Sequence, residues 1–218
     1  MNVWIVMPAY NEERTIGGVL NAIKQEGYSK VIVVDDGSRD RTAKIAHSKG
    51  AVVVSHPRNM GLGAALRTGL ETARKRNADC VVTFDADGQH DSKAVRKLSE
   101  ALNGADLAIG VRQHRGIPLH KRVGNFGLNF ITYLFSGVFT DSQSGSRAFN
   151  RKALEKIKIK SNRYEVSSEI IIRAKRHGLR LRDVPVKCFY TEYSKARGTT
   201  ILSGLRIFLA LIEQRVSK

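Results

Sequence analysis

Short apolar runs alternate with amphipathic stretches through the first half of the chain. Residues 3–7, 30–34, 51–55 and 80–84 are nearly continuous apolar segments rich in Val. Runs of this kind predict strands buried on both faces. Between and after them, residues 15–25, 42–49, 64–76 and 93–102 show helical spacing, and residues 105–110 form another strand candidate. Strands alternating with helices predict an α/β fold: a mostly parallel central sheet with helices on both faces. The second half is less regular. Its spacing predicts a helix over 119–137 rich in Phe, Tyr and Gly, a short strand over 146–149 and a helical turn or two over 151–156. A further helix runs over 166–178 and stops at Gly178. Residues 181–190 are extended, with Pro185 marking an edge or bent strand, and an amphipathic helix is predicted over 200–216. No linker or repeat interrupts the pattern, so a single domain is expected over 1–218, with a ligand-binding half (1–110) and a second half (111–218).

In parallel sheets, ligands bind beyond the carboxyl ends of the strands, and the polar residues of this chain gather there. Pro8-Ala9-Tyr10-Asn11-Glu12 follows the first strand, Asp35-Asp36-Gly37-Ser38 the second, and Asp85-Ala86-Asp87-Gly88-Gln89-His90 the fourth; Asn59-Met60-Gly61-Leu62-Gly63 precedes the third helix. Asp85 and Asp87 carry the strongest chemistry. Two carboxylates at i and i+2 leaving a strand are able to turn toward one hard cation, Mg²⁺ or Mn²⁺, with Gln89 as a further oxygen donor. The competing reading is an Asp-rich turn capping the next helix. Asp36 reads either as turn and cap or as a ligand of a nucleotide, and Gly61 and Gly63 either as packing glycines or as an approach for phosphate. There is no Gly-x-x-x-x-Gly-Lys-Ser/Thr element, which excludes a P-loop NTPase, and no Gly-x-Gly-x-x-Gly turn after the first strand.

Charge changes the picture in the second half. Residues 1–109 hold 15 Lys and Arg against 13 Asp and Glu, whereas residues 110–218 hold 22 against 7. A net of +15 on one half points to a polyanion or an anionic surface. A nucleic-acid-binding module is one class of protein with that asymmetry, but no recognisable binding motif accompanies it, and no nucleic-acid partner is expected. The two cysteines, Cys80 and Cys188, lie in apolar runs and read as buried free thiols. The N-terminus has no basic region before its apolar run, so no signal peptide is expected.

Taken in order, Pro-Ala-Tyr-Asn-Glu, Asp-Asp-Gly-Ser-x-Asp-x-Thr, Asn-x-Gly-Leu-Gly-x-Ala and Asp-Ala-Asp-Gly-Gln-His resemble the motifs of family 2 glycosyltransferases. The branch resembled is the dolichyl-phosphate mannose (or glucose) synthase group. Residues 122–147 resemble that branch's acceptor segment, and Glu169, Gly178 and Val184-Pro185-Val186 continue the likeness. The sequence departs from the branch at Ser146, where a large apolar residue is usual, and in the looser 191–198 stretch. The resemblance implies a GT-A nucleotide-diphospho-sugar transferase fold and an inverting, metal-assisted transfer from GDP-mannose or UDP-glucose to a polyprenyl phosphate. Pro8, Tyr10, Asn11, Glu12, Asp36, Gly63, Asp85 and Ala86 would line the donor, and Asp85, Asp87 and Gln89 would hold Mg²⁺ or Mn²⁺. Asp87, Arg122 and Arg147 would be catalytic. Arg122, Arg147, Lys195 and Arg197 would clamp the acceptor phosphate.

A sugar hydroxyl acceptor needs a general base, whereas a phosphate monoester is already largely dianionic at neutral pH. Polysaccharide-building relatives carry an acidic pair near position 140, and here the pair is Thr140-Asp141. That favours a phosphate acceptor, with Asp141 as a lone base still open and a carbohydrate hydroxyl as the alternative acceptor. Phe126, Phe130, Tyr133, Leu134 and Phe139 form an aromatic stripe suited to a membrane interface, and the 200–216 helix has a second apolar face. A peripheral enzyme at the cytoplasmic face of the membrane is expected, alone or with a separate membrane subunit.

Overall fold

The structure, a computed structural model, describes residues 1–112 and 119–189, with side chains omitted for 119–123. The predicted 200–216 helix and the 191–198 stretch lie outside the described residues. In the N-terminal half, β1 (Val3–Ala9), β2 (Val31–Asp35), β3 (Val52–Ser55) and β4 (Cys80–Thr83) alternate with α1 (Ile16–Gln25), α2 (Thr42–Ser48) and α3 (Leu62–Lys75). Then follow α4 (Ala94–Ala101), β5 (Leu107–Arg112), α5 (Leu119–Ser136), β6 (Arg147–Asn150), α6 (Arg151–Lys156), α7 (Val166–Arg176) and β7 (Leu181–Val186). Every element predicted within the described residues is present, with ends displaced by at most a few positions.

The strands form one seven-stranded sheet in the order β3-β2-β1-β4-β6-β5-β7. β1 to β4 pair in parallel, and β7 pairs in parallel with β5. β6 is antiparallel to both of its neighbours, β4 and β5. Pro185 is tolerated because β7 is an edge strand. The alternating pleat divides the core in two. Trp4, Val6, Ile32 and Val34 pack with α3, α6 and α7, while Ile5, Met7, Val31 and Val33 pack with α1, α2 and α4.

This topology decides where the chemistry gathers. β1, β2, β4, β5 and β7 all point their carboxyl ends to one edge. β6 runs the other way, so its first residue, Arg147, lies opposite Thr83 at that same edge. The 141–146 turn is thereby delivered beside the residues that leave β4. α5 ends at Gly137, whose positive φ of 70° and N–H bond to the Tyr133 carbonyl (2.7 Å) close the helix.

Candidate active site

The first two strand ends lace into one floor. The Asn11 amide donates to Ser38 Oγ (2.9 Å), the Arg39 amide to Asn11 Oδ1 (2.9 Å) and the Glu12 amide to Thr42 Oγ1 (2.7 Å). Asn11 holds a left-handed backbone, φ 54°, which Asn tolerates better than most residues. Tyr10 stands exposed beside this floor, Pro8 is half-buried, and Glu12 is buried with its carboxylate accepting from Thr15 Oγ1 (2.9 Å).

Asp36 differs from the expectation that it faces a nucleotide. It is 4% exposed and accepts from the Met60 amide (2.9 Å), the Gly61 amide (2.8 Å) and His56 Nδ1 (2.7 Å). Its carboxylate shapes the 59–61 loop, so any effect on a ligand is exerted through that loop. Gly63 is likewise a packing glycine: a Cβ there would run into the Ser161 carbonyl. The 160–161 backbone is fixed in turn by buried Glu169, which accepts from the amides of Lys160 and Ser161 (2.9 Å each) and from Arg173 Nε (2.6 Å). Glu169 therefore braces the 160–161 backbone against which Gly63 packs.

The fourth strand end carries the carboxylate pair. Ala86, expected on the donor, instead buries its side chain in the core and has only backbone to offer. Asp87 accepts from the Gln89 amide (2.9 Å) and Gln89 Nε2 (2.6 Å). Burial and the neighbouring Asp85 charge push the Asp87 carboxyl up to about 6. Asp85 is held below the usual carboxylate range: burial opposes ionisation, but His90, Arg147 and Arg112 outweigh it. His90 donates from Nε2 to Asp85 Oδ2 (3.1 Å) and meets Cys188 Sγ through Nδ1 (3.3 Å). Burial pulls its imidazole down, yet those two contacts carry it up to about 10. Gly145 lies directly against Asp85, and a Cβ at that position would occupy the space of the carboxylate.

The basic side of the site departs furthest from expectation. Arg147 is not a surface clamp but 1% exposed, donating from a terminal nitrogen to the carbonyls of Ser142 (2.7 Å) and Ser167 (3.4 Å). Burial lowers its guanidinium to about 10, with Asp85 and Asp141 opposing the shift. Its Nε and the buried hydroxyls of Ser144 and Ser146 have no partner among the described residues. Asp141 forms a two-pronged pair with Arg112, Nε to Oδ2 and a terminal nitrogen to Oδ1, both 2.7 Å, and also accepts the Arg112 amide (3.1 Å). Although burial opposes it, Arg112 holds the Asp141 carboxyl below the usual carboxylate range. Of the expected phosphate contacts, Arg122 lies in α5 with its side chain undescribed, and Lys195 and Arg197 fall outside the described residues. Three participants were not singled out from the sequence. Arg112 gave no local signal, being 29 residues from its partner; His90 was visible only as the end of a motif; Cys188 is half-buried and bonded to His90, not the buried thiol expected.

Among the described residues, no group of three or more His, Cys, Asp and Glu side chains is arranged to hold a metal by itself. Asp85 and Asp87 instead form an open pair at the carboxyl-end edge of the sheet, beside the turn that carries Gly145. Such a pair offers hard oxygen donors to a divalent cation whose remaining positions a ligand's own oxygens would fill.

Residues 4–158 match the profile of Glycosyl transferase family 2, and the chain belongs to that family of enzymes. An uncharacterized protein of Methanocaldococcus jannaschii is 51% identical over 98% of this chain and 92% of its own length. A UDP-N-acetylglucosamine–dolichyl-phosphate N-acetylglucosaminyltransferase of Methanococcus voltae is 38% identical over 99% of this chain and 97% of its own. In three dimensions the chain is similar to glucosyl-3-phosphoglycerate synthase from Mycobacterium tuberculosis, solved with phosphoglyceric acid. The TM-score is 0.77 at 24% identity, over 99% of this chain and 79% of that one. The shared fold is the GT-A fold that the motifs implied, and the relatives place the chain on the dolichyl-phosphate sugar synthase branch.

Proposed function

We propose that the protein transfers a hexose from a nucleoside diphosphate sugar to a polyprenyl phosphate, with inversion at the anomeric carbon. The observation that carries this reading is the state of Asp141. A transferase acting on a carbohydrate hydroxyl needs a carboxylate free to take a proton. Here the carboxylate in that place is neutralised by a bidentate arginine and holds its charge too firmly to serve. A phosphate acceptor brings an ionised oxygen of its own and makes no such demand. The 38%-identical relative named for a dolichyl-phosphate acceptor supports the same conclusion.

In this reading the β1 and β2 ends, with Tyr10, Asn11 and Glu12, seat the nucleotide, and the 59–61 loop braced by Asp36 closes against it. Asp85, Asp87 and the Gln89 side-chain oxygen suit Mg²⁺ or Mn²⁺: hard oxygen donors, with two like charges crowded together in the absence of a cation. A divalent ion held there would neutralise the diphosphate as it leaves. The acceptor phosphate oxygen attacks the anomeric carbon from the opposite side, and the nucleoside diphosphate departs with the bonding pair. Arg147 contributes from beneath, offsetting Asp85 and Asp141, while Arg122, Lys195 and Arg197 are assigned to the acceptor phosphate.

The lipid part of the acceptor finds a surface on α5 and the residues that follow it. Phe126, Phe130, Tyr133, Leu134 and Phe139 are 44% to 61% exposed, and Phe139 stacks edge-on with Phe126 and Tyr133 at 6.0 and 6.3 Å. No helix among the described residues is long and apolar enough to cross a membrane. We assign this aromatic face to contact with the membrane interface, at the cytoplasmic side. The test is a transfer assay with Mg²⁺ or Mn²⁺ and a panel of GDP- and UDP-sugars, offering polyprenyl phosphate or an oligosaccharide. Label moving to the lipid phosphate is the expected result; label moving only to glycan hydroxyls would establish the hydroxyl-acceptor alternative instead.

A further inference from the structure

We infer that His90 is a positioning residue for Asp85, locked in its own orientation by Cys188, and that this chain of contacts ties the carboxylate pair to the strand leading toward residue 190. The inference rests on the metal reading of Asp85 given above. Three contacts fix the imidazole. Its Nε2 lies 3.1 Å from Asp85 Oδ2, its Nδ1 3.3 Å from Cys188 Sγ, and its ring stands edge-on to Phe84 at 5.7 Å. The His90 side chain is only 5% exposed, whereas Asp85 is 32% exposed. One member of the pair therefore faces outward to ligand, and the other supports it from within. That is the usual arrangement of a carboxylate ligand and the group that orients it.

The backbone repeats the connection. His90 and Cys188 form an antiparallel bridge, the Phe189 amide donates to the Gln89 carbonyl (2.7 Å), and the Asp91 amide approaches the Lys187 carbonyl (3.4 Å). The extension of β7 is thus sewn along the loop that carries Gln89. The chain beyond residue 189 holds Lys195 and Arg197, the residues assigned to the acceptor. A displacement of the 187–189 segment would reach the Asp85 carboxylate through one side chain.

The test separates positioning from packing by side-chain reach. In His90→Gln the amide nitrogen takes the place of Nε2 and still donates to Asp85; in His90→Asn it reaches only the position of Nδ1. Binding of Mn²⁺, alone and with UDP or GDP, is titrated by electron paramagnetic resonance without turnover, beside Asp85→Asn as reference. His90→Ala and His90→Asn are expected to weaken Mn²⁺ binding roughly ten- to a hundred-fold, as loss of an orienting partner does. His90→Gln should recover most of that loss, Cys188→Ser should bind as the unmodified protein, and Cys188→Ala should weaken binding by less than His90→Ala. Equal weakening in His90→Gln and His90→Asn would reduce His90 to a packing residue and overturn the inference. Unchanged binding in His90→Asn, with binding lost in Asp85→Asn, would overturn it while leaving the metal reading intact. Unchanged binding in Asp85→Asn would overturn both. Should His90→Ala fail to fold, the Gln–Asn pair decides.

Discussion

Two groups of carboxylates stand at the same edge of the sheet and are treated in opposite ways. Asp141 is saturated: Arg112 grips both of its oxygens, and its charge is settled within the protein. Asp85 and Asp87 are crowded together: against the pull of burial, His90, Arg147 and Arg112 hold the Asp85 carboxyl down, while burial and the Asp85 charge push Asp87 up to about 6. A saturated carboxylate is a structural part; a pair held in mutual repulsion has unused capacity for a cation. The difference assigns work to the second group and withdraws it from the first.

The contrast breaks most severely at Asp87. Asp87→Asn removes an ionised donor but relieves repulsion, so metal-dependent donor turnover should fall by about 10³-fold or more, the scale set by losing a transition-state charge stabiliser. Its melting temperature should be unchanged or slightly higher by calorimetry. Gly145→Ala forces a methyl group into the space of Asp85. We expect roughly a 100-fold loss of kcat/KM in steady-state assays, since displacing a positioned group by about 1 Å carries a penalty of that order.

Arg147→Met sharpens the comparison through stability. Removing Arg147 takes one buried positive charge from beside Asp85 and Asp141, which keep His90 and Arg112 as partners, so the cost should come to about 3 kcal/mol, the low end for breaking a buried charge cluster; urea unfolding should show it. A surface phosphate clamp would show a change near zero. The smallest effect lies at another saturated carboxylate, Asp106, which is 2% exposed. It accepts from the Arg180 amide (2.9 Å), Asn150 Nδ2 (3.0 Å) and Lys152 Nζ (3.3 Å). Though burial opposes them, these contacts lower its carboxyl from 3.8 to about 2. Because the folded value is the lower one, the stabilisation is present above pH 4 and is lost as the pH falls toward 2. Asp106→Asn should reduce stability at neutral pH by about 2 kcal/mol at most and flatten its decline in acid, as measured by denaturant titration at several pH values.

The fold was legible because β1, β2 and β4 are apolar on both faces and the turns carry their own punctuation. β1 to β4 and the helices between them can be read from periodicity alone, and Pro185 announces an edge strand. The candidate site was half legible. Residues assigned a role where they stand in the chain, such as Asp85, Asp87 and Gln89, are visible as a local pattern. Residues whose role comes from a distant partner are not. Asp36 looks like a ligand until its carboxylate is seen to be occupied by the Met60 and Gly61 amides. Arg147 looks like a clamp until the antiparallel turn of β6 carries it beneath the site. The Arg112–Asp141 pair and the His90–Cys188 contact each join residues far apart in the chain, and no local spacing foreshadows either.

The central claim is that the acceptor supplies its own nucleophilic oxygen and that Asp141 takes no proton. Asp141→Asn keeps the shape and a hydrogen-bonding oxygen for Arg112 while abolishing any function as a base. Its kcat/KM for transfer to polyprenyl phosphate, measured beside the unmodified protein, should fall by less than about ten-fold, with no new dependence on pH. Loss of a general base reduces rate by about 10²- to 10⁴-fold, and a fall of that size in Asp141→Asn would contradict the account.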